Sequence, residues 1–155
     1  MFLSIVYMKW IPNVHLLGLL IASFTLVYRV YALIPLYVFI MLYGVFLGFS
    51  PFWIPHLYIW LPLWGIFMIF GKFNPSTKIK APIAMTLCAL HGFSYGILYA
   101  PFQAYWFGLS FQGMIAWIIA GIPFDIIHGV GNMVTGTLIV PLVALLKKLD
   151  TSNVF

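Results

Sequence analysis

Asp125, His128 and Asn132 follow one another at intervals of three and four residues. In a helix this spacing places a carboxylate, an imidazole and an amide on one face. Asp125 is one of only two acidic residues in the chain. In a bilayer an ionisable side chain costs roughly 2.5 kcal/mol or more unless it is paired or hydrated. The triplet therefore predicts a polar, substrate-binding site.

Each member of the triplet also has a structural interpretation. Asp125 follows Pro123 and could cap the N-terminus of a last helix. His128 and Asn132 could form hydrogen bonds between helices, as polar side chains in membrane bundles often do. Both interpretations of the triplet stay open at this point.

The aromatic stretch around His56 is a second candidate for solute binding. Trp53, Tyr58 and Trp60 surround this histidine, and such rings can stack on a planar heteroaromatic solute while a few polar groups fix its orientation. We therefore take His56, Trp53 and Trp60 as candidate binding residues, with His91 as a further candidate for the polar anchor. The alternative is an aromatic belt at the level of the lipid headgroups.

The remaining chemistry is sparse. His15, His56 and His91 stand singly, without the helical spacing of a metal site, so we expect no metal and no other cofactor. Cys88 is the only cysteine, which excludes a disulfide framework.

The composition places all of these residues in a membrane. Hydrophobic residues make up 65% of the 155 residues, and charged residues only 6%. Soluble domains carry about 25% charged residues, so the formal net charge of +5 does not indicate a nucleic-acid partner. Instead, the seven basic residues act as topology signals beside the lipid bilayer.

The charges and turn residues divide the chain into apolar spans, because crossing about 30 Å of hydrocarbon takes roughly 20 apolar residues. We expect an all-α, polytopic transmembrane bundle that forms a single membrane-embedded domain over residues 1–155. The expected parts are a short helix at about 15–28, a helical hairpin between Arg29 and Lys72 broken at 48–51, a polar loop at 72–80, a double span between Lys80 and Asp125, and a last helix from Asp125 to Lys147.

The segment 106–122 decides the topology. If it does not cross, six of the seven basic residues share one face, which we take as cytoplasmic. The segment is then an extracytoplasmic helix or a re-entrant element. Residues 1–10 are apolar but too short to span, so we expect them to be the end of a first helix that begins upstream of Met1. That helix would bring the bundle to six.

Small residues and prolines mark the expected contacts between helices. Small side chains recur every fourth residue from Gly92 through Gly96 to Ala100, which predicts a groove for a neighbouring backbone. Weaker copies, which also favour packing inside the bundle, begin at Gly18 and Gly44. Three prolines are expected to kink the spans in which they lie, namely Pro55, Pro62 and Pro141.

Several strings of the sequence together carry a family resemblance. They begin with Ile11-Pro12-Asn13-Val14-His15-Leu16, and the most distinctive is Pro-Phe-Asp-x-x-His-x-x-x-Asn over 123–132. The chain resembles the substrate-binding S component of energy-coupling factor (ECF) transporters along nearly its whole length, apart from a shortened N-terminus. The other strings are 24–29, 52–60, 98–104 and 116–122.

The resemblance implies a six-helix subunit of a bacterial plasma membrane that is not itself an enzyme. Such a subunit captures a small vitamin-like solute outside the cell and docks on a transmembrane coupling subunit that carries two ATPase subunits. Two alternatives from other classes stay open. One is an intramembrane enzyme that uses Asp125 and His128 as an acid–base pair, and the other is a membrane scaffold without a ligand.

Overall fold

The computed structural model of the chain describes residue 1, residues 15–73 and residues 77–152. Within these residues the only regular structure is helical. A 3-10 turn at Arg29–Ala32 joins the first two of eight α-helices. The helices are α1 (Leu17–Tyr28), α2 (Leu33–Leu47), α3 (His56–Ile59), α4 (Leu61–Phe73), α5 (Thr77–Phe93), α6 (Tyr95–Phe107), α7 (Phe111–Gly136) and α8 (Ile139–Ser152).

Four helical runs of the described residues are long and apolar enough, by length and composition, to cross a membrane. They are Leu17–Leu47, which includes the 3-10 turn at Arg29–Ala32, and His56–Phe73, Ile79–Phe107 and Phe111–Gly136. Large apolar side chains such as Val45, Phe46 and Tyr105 point outward from them and are mostly exposed. A water-exposed surface of this kind would be unfavourable, whereas a lipid-facing one is expected. The all-α, membrane-type fold is therefore confirmed. The count of six helices stays a prediction, because the expected first helix lies outside the described residues.

The chain reverses direction at Arg29. α1 runs parallel to α4. His15, just before α1, contacts Trp60, just before α4, and the guanidinium of Arg29, just after α1, donates to the Met68 carbonyl oxygen within α4. α2 then runs antiparallel to the stretch that leads into α4, because Tyr37 donates to the Leu57 carbonyl oxygen and Ile40, later in α2, accepts from the earlier residue Trp53. Arg29 itself adopts a positive φ of 57°, which is uncommon for a residue with a side chain. The short helix predicted at about 15–28 and its end at Arg29 are confirmed.

The predicted hairpin break at 48–51 is also confirmed. α2 ends at Gly48, whose φ of 97° suits glycine. Gly44 lies against the side chains of Phe49 and Trp53, so this small residue serves packing inside the chain.

The three prolines expected to kink the spans lie at helix starts, and Pro62 follows the interruption at Trp60 within the run His56–Phe73. Pro55 is the N-cap of α3, Pro62 is the second residue of α4, and Pro141 is the third residue of α8. All three lie where a helix begins, and the amide hydrogen that proline lacks would have had no intrahelical acceptor there.

α7 packs antiparallel against α5 and α6. Gly136 lies near Met85, Gly129 near Gly92, and Asp125 near Gly96. Residue numbers therefore fall along α7 as they rise along α5 and α6. The predicted small-residue groove is therefore present and is filled by α7. α7 begins at Phe111, where the Ser110 hydroxyl accepts a hydrogen bond from the Gly113 amide.

Two predictions about this region are wrong. The last helix does not begin at Asp125, because α7 continues through this position and a separate helix, α8, follows it. The segment 106–122 is not a separate element either. It contains the end of α6, a turn and the first half of α7, whose 26 residues extend about 39 Å.

Four basic residues lie at one end of the bundle. Lys80 and Lys147 line the same cavity of about 260 Å³. Gly71 also lines that cavity and connects the other two basic residues to it. The Arg29 guanidinium lies against Gly71, and Lys72 is the next residue in the chain.

This shared end predicts the outcome of cysteine labelling. In a Cys88→Ala background, cysteines introduced at Ser76 and Ser152 should react with an impermeant maleimide from the same side of the membrane, whereas a cysteine at Leu109 should react from the other side. Labelling of Ser76→Cys and Ser152→Cys from opposite sides would contradict this arrangement.

Candidate functional site

A cavity of about 380 Å³ lies between α6 and α7, beside Phe52. Three polar side chains reach it, from Gln103, Asp125 and His128. The rest of the wall is aromatic or glycine. It is formed by Phe52, Tyr95, Gly96, Tyr99, Trp117, Gly121 and Phe124.

Asp125 is held at the cavity by the start of α6. Both of its carboxylate oxygens accept the Gly96 amide hydrogen, at 3.1 Å each. The N-cap of α6, Ser94, makes no side-chain capping hydrogen bond. Asp125 therefore caps α6 from the neighbouring helix, with its negative charge near the positive end of that helix. The prediction that it caps its own helix is wrong, because α7 is already continuous at this position.

The aromatic wall is fixed by hydrogen bonding and stacking. The Tyr99 hydroxyl donates to the Phe52 carbonyl oxygen at 2.6 Å. The Tyr99 and Trp117 rings stack with a 5.8 Å separation between centroids. Gln103 is only 5% exposed, and its Oε1 has no hydrogen-bond partner among the described residues. The cavity thus combines flat apolar surfaces with polar groups that a bound solute could satisfy.

His128 connects the cavity to a deeper cluster of rings. Its ring lies 4.8 Å from Tyr95 and 4.9 Å from His15, measured between centroids. Trp60 lies 5.3 Å from His91 and 5.6 Å from Tyr95 on the same measure. We call His15, Trp60, His91, Tyr95 and His128 the imidazole–indole cluster. It brings together three predicted site residues, Trp60, His91 and His128, from three different helical segments.

Asn132 lies apart from the cavity. Its side chain is buried between helices, donates to the Cys88 carbonyl oxygen at 3.3 Å and lies against Gly18. These contacts match the interhelical hydrogen bonding that the sequence left open for this residue.

His56 and Trp53 do not line the cavity either. The Trp53 indole donates to the Ile40 carbonyl oxygen at 2.8 Å, which ties the turn to α2. His56 packs on Tyr43, with 4.9 Å between ring centroids, and more distantly on Tyr99. His56 therefore packs behind Tyr99 of the aromatic wall, whereas Trp53 packs on α2 and Phe49.

Several residues of the wall were not among the predicted site residues. Tyr95, Tyr99 and Gln103 follow at intervals of four and so share one helical face. Trp117 and Gly121 extend the face of Asp125 in the same way. This four-residue spacing could have indicated the wall in the sequence. It does so only if Trp117, Gly121 and Asp125 share one helix, which requires α7 to continue through Pro123.

The described residues include no group of three or more histidine, cysteine or acidic side chains able to hold a metal ion. In comparisons with known proteins, no family model, no curated protein and no solved structure matches this chain.

Proposed function

We propose that this chain is the solute-capturing membrane subunit of an ATP-driven uptake system of the ECF type in a bacterial plasma membrane. The observation that carries the proposal is the cavity between α6 and α7, in which Asp125, His128 and Gln103 meet an aromatic wall. The sequence resemblance to S components supports the further proposal that the bound solute is transported into the cell by an ATP-driven complex. The solute is a small vitamin-like molecule.

The size and lining of the cavity suit such a solute. Ligand sites commonly enclose about 300–1,000 Å³ and combine apolar walls with a few polar groups. The cavity falls within this range at about 380 Å³. Tyr99 and Trp117 offer flat surfaces on which a ring can stack. Asp125 offers a charged acceptor whose position is fixed by the start of α6.

A capture role accounts for Asp125 better than acid–base catalysis does. Asp125 and His128 line the same cavity, as an acid–base pair would require. The hydrogen bonds to the carboxylate, however, come from the Gly96 amide rather than from His128. We therefore propose binding without chemical conversion.

Uptake assays in proteoliposomes test the proposal. The chain is reconstituted with an ECF coupling subunit and its two ATPase subunits, and radiolabelled B-group vitamins are supplied one at a time. We expect ATP-dependent accumulation of one vitamin that requires this chain. Assembly of the complex without uptake of any vitamin would contradict the proposal.

Trp117 should contribute directly to capture of the solute. Trp117→Leu removes one stacking surface from the cavity wall and should weaken binding of the transported vitamin by about 1 kcal/mol. Trp106→Leu is the matched control, because Trp106 stacks on Phe102 outside the cavity. Equal affinities of these two variants in equilibrium dialysis would contradict a role for Trp117 in the site.

A further inference from the structure

The imidazole–indole cluster holds three buried ring nitrogens without a hydrogen-bond partner in the described part of the chain. They are Nε1 of Trp60, Nδ1 of His91 and Nε2 of His128. The three side chains are only 2–3% exposed. Buried polar groups in proteins are nearly always hydrogen-bonded, so three unpaired nitrogens in one cluster indicate that something else occupies their bonding positions.

The hydrogen-bonding character of two of these nitrogens is fixed. An indole nitrogen can only donate, so Trp60 requires an acceptor. His91 Nε2 lies 2.9 Å from the Ile59 carbonyl oxygen and must donate its hydrogen there. In the neutral ring Nδ1 of His91 is then an acceptor and requires a donor.

The cluster is continuous with the cavity. His128 and Tyr95 line the cavity on one side and contact Trp60 on the other, with centroids 6.4 and 5.6 Å from the Trp60 ring. The donor of Trp60 and the acceptor of His91 therefore lie directly behind two residues of the cavity wall, His128 and Tyr95.

We propose that the captured solute buries one edge in the imidazole–indole cluster, and that this edge carries both a hydrogen-bond donor and a hydrogen-bond acceptor. The chemical class is an amino-substituted nitrogen heterocycle. The amino group donates to His91, and the ring nitrogen accepts from Trp60. This inference rests on the proposed capture function and narrows the solute that it serves.

Two matched tryptophan variants separate binding from stability. Trp60→Phe retains an aromatic ring but removes a donor that has no partner within residues 15–73 and 77–152. Trp53→Phe makes the same change at a donor that bonds to the Ile40 carbonyl oxygen. We expect Trp53→Phe to lower the melting temperature and leave binding unchanged. Trp60→Phe should weaken binding, and it should also lower the melting temperature, because the smaller ring leaves a cavity in the core.

The probes are three uncharged rings, titrated into the purified full chain and followed by saturation-transfer NMR. 2-Aminopyrimidine presents donor and acceptors on one edge, pyrimidine presents acceptors alone, and aniline presents a donor alone. The wild type should bind 2-aminopyrimidine about ten-fold more tightly than either control ring. Trp60→Phe should lose about five-fold in affinity for 2-aminopyrimidine, and its preference for this ring over aniline should shrink.

Three results would overturn the inference. They are equal affinities of the wild type for the three rings, no binding of 2-aminopyrimidine, or an unchanged 2-aminopyrimidine affinity in Trp60→Phe. Vitamin uptake by the reconstituted complex reports separately on the capture function. Uptake that is equal in the wild type and Trp60→Phe would leave capture intact and refute the cluster as part of the site.

Discussion

Replacing Gly92 with leucine should prevent the bundle from assembling. A Cβ atom at this position would lie 2.7 Å from the Gly129 Cα atom and 2.8 Å from its backbone nitrogen. Backbone atoms cannot rotate away as a side chain can, so α5 and α7 would have to separate. We expect Gly92→Ala to lower the free energy of unfolding by about 1–3 kcal/mol. Gly92→Leu should yield no monodisperse protein in size-exclusion chromatography.

The same argument applies to Gly96, where a Cβ would meet the Asp125 carboxylate. Gly96→Leu should therefore disrupt both the packing and the cap of α6. Gly65 provides the matched control, because it lies in α4 with open space around its Cβ position. Gly65→Ala should raise the free energy of unfolding by about 0.4–1 kcal/mol. Similar yields of Gly92→Leu and Gly65→Leu would contradict close packing of α5 on α7.

Removing the Asp125 carboxylate should have the second large effect, on both the fold and the site. Asp125→Ala leaves the Gly96 amide unpaired at the start of α6, and we expect a loss of about 1.5–3 kcal/mol in the free energy of unfolding. Asp125→Asn retains an acceptor for that amide and loses only the charge near the helix terminus, which is worth about 0.3–1 kcal/mol. Thermal unfolding in detergent measures both.

Solute binding should respond differently to the two substitutions. If the carboxylate contacts a donor on the solute, Asp125→Asn should weaken affinity by about 1.5–3 kcal/mol although the fold persists. Asp150→Asn is the control at the only other acidic residue, which is exposed on α8. An Asp125→Asn variant with wild-type affinity would make Asp125 structural, and the anchor would then be sought at His128 and His91.

The sequence predicted the helix ends at Arg29 and Gly48, but the predicted polar loop at 72–80 is wrong in its extent, because Lys72 lies inside α4 and Lys80 inside α5. Arg29 and Gly48 directly follow the last residues of α1 and α2, as expected. A single basic side chain marks the end of an apolar span, and a single glycine with a positive φ can end a helix. The groove around Gly92 was predictable for a similar reason, since small residues at intervals of four leave a continuous gap on a helix.

Proline and aspartate were misleading because their roles depend on tertiary context. Pro123 lies inside α7, although a proline followed by an acid is typical of a helix start. Asp125 does cap a helix, but the helix is α6, and no local pattern can indicate a partner 29 residues away. The face formed by Tyr95, Tyr99 and Gln103 became recognisable only once α7 was placed against it.

The imidazole–indole cluster shows the same limit. His15, Trp60, His91 and His128 are far apart in the sequence and carry no shared spacing. Their rings meet because α1 and α4 run parallel and α5 pairs with α7. In the sequence, each histidine by itself could be an ordinary interior or interfacial residue. Only the contacts between their rings in the fold indicate a site.

Filling the cavity tests the capture function most directly. Gly121 lines the cavity, and no atom of the described residues lies within 4 Å of its Cβ position, so Gly121→Trp can occupy the space without a backbone clash. Mass spectrometry of small molecules that remain bound to the purified protein should detect one solute on the wild type and on a Gly65→Trp control, and none on Gly121→Trp. The same solute on all three proteins, or none on the wild type, would contradict capture in this cavity.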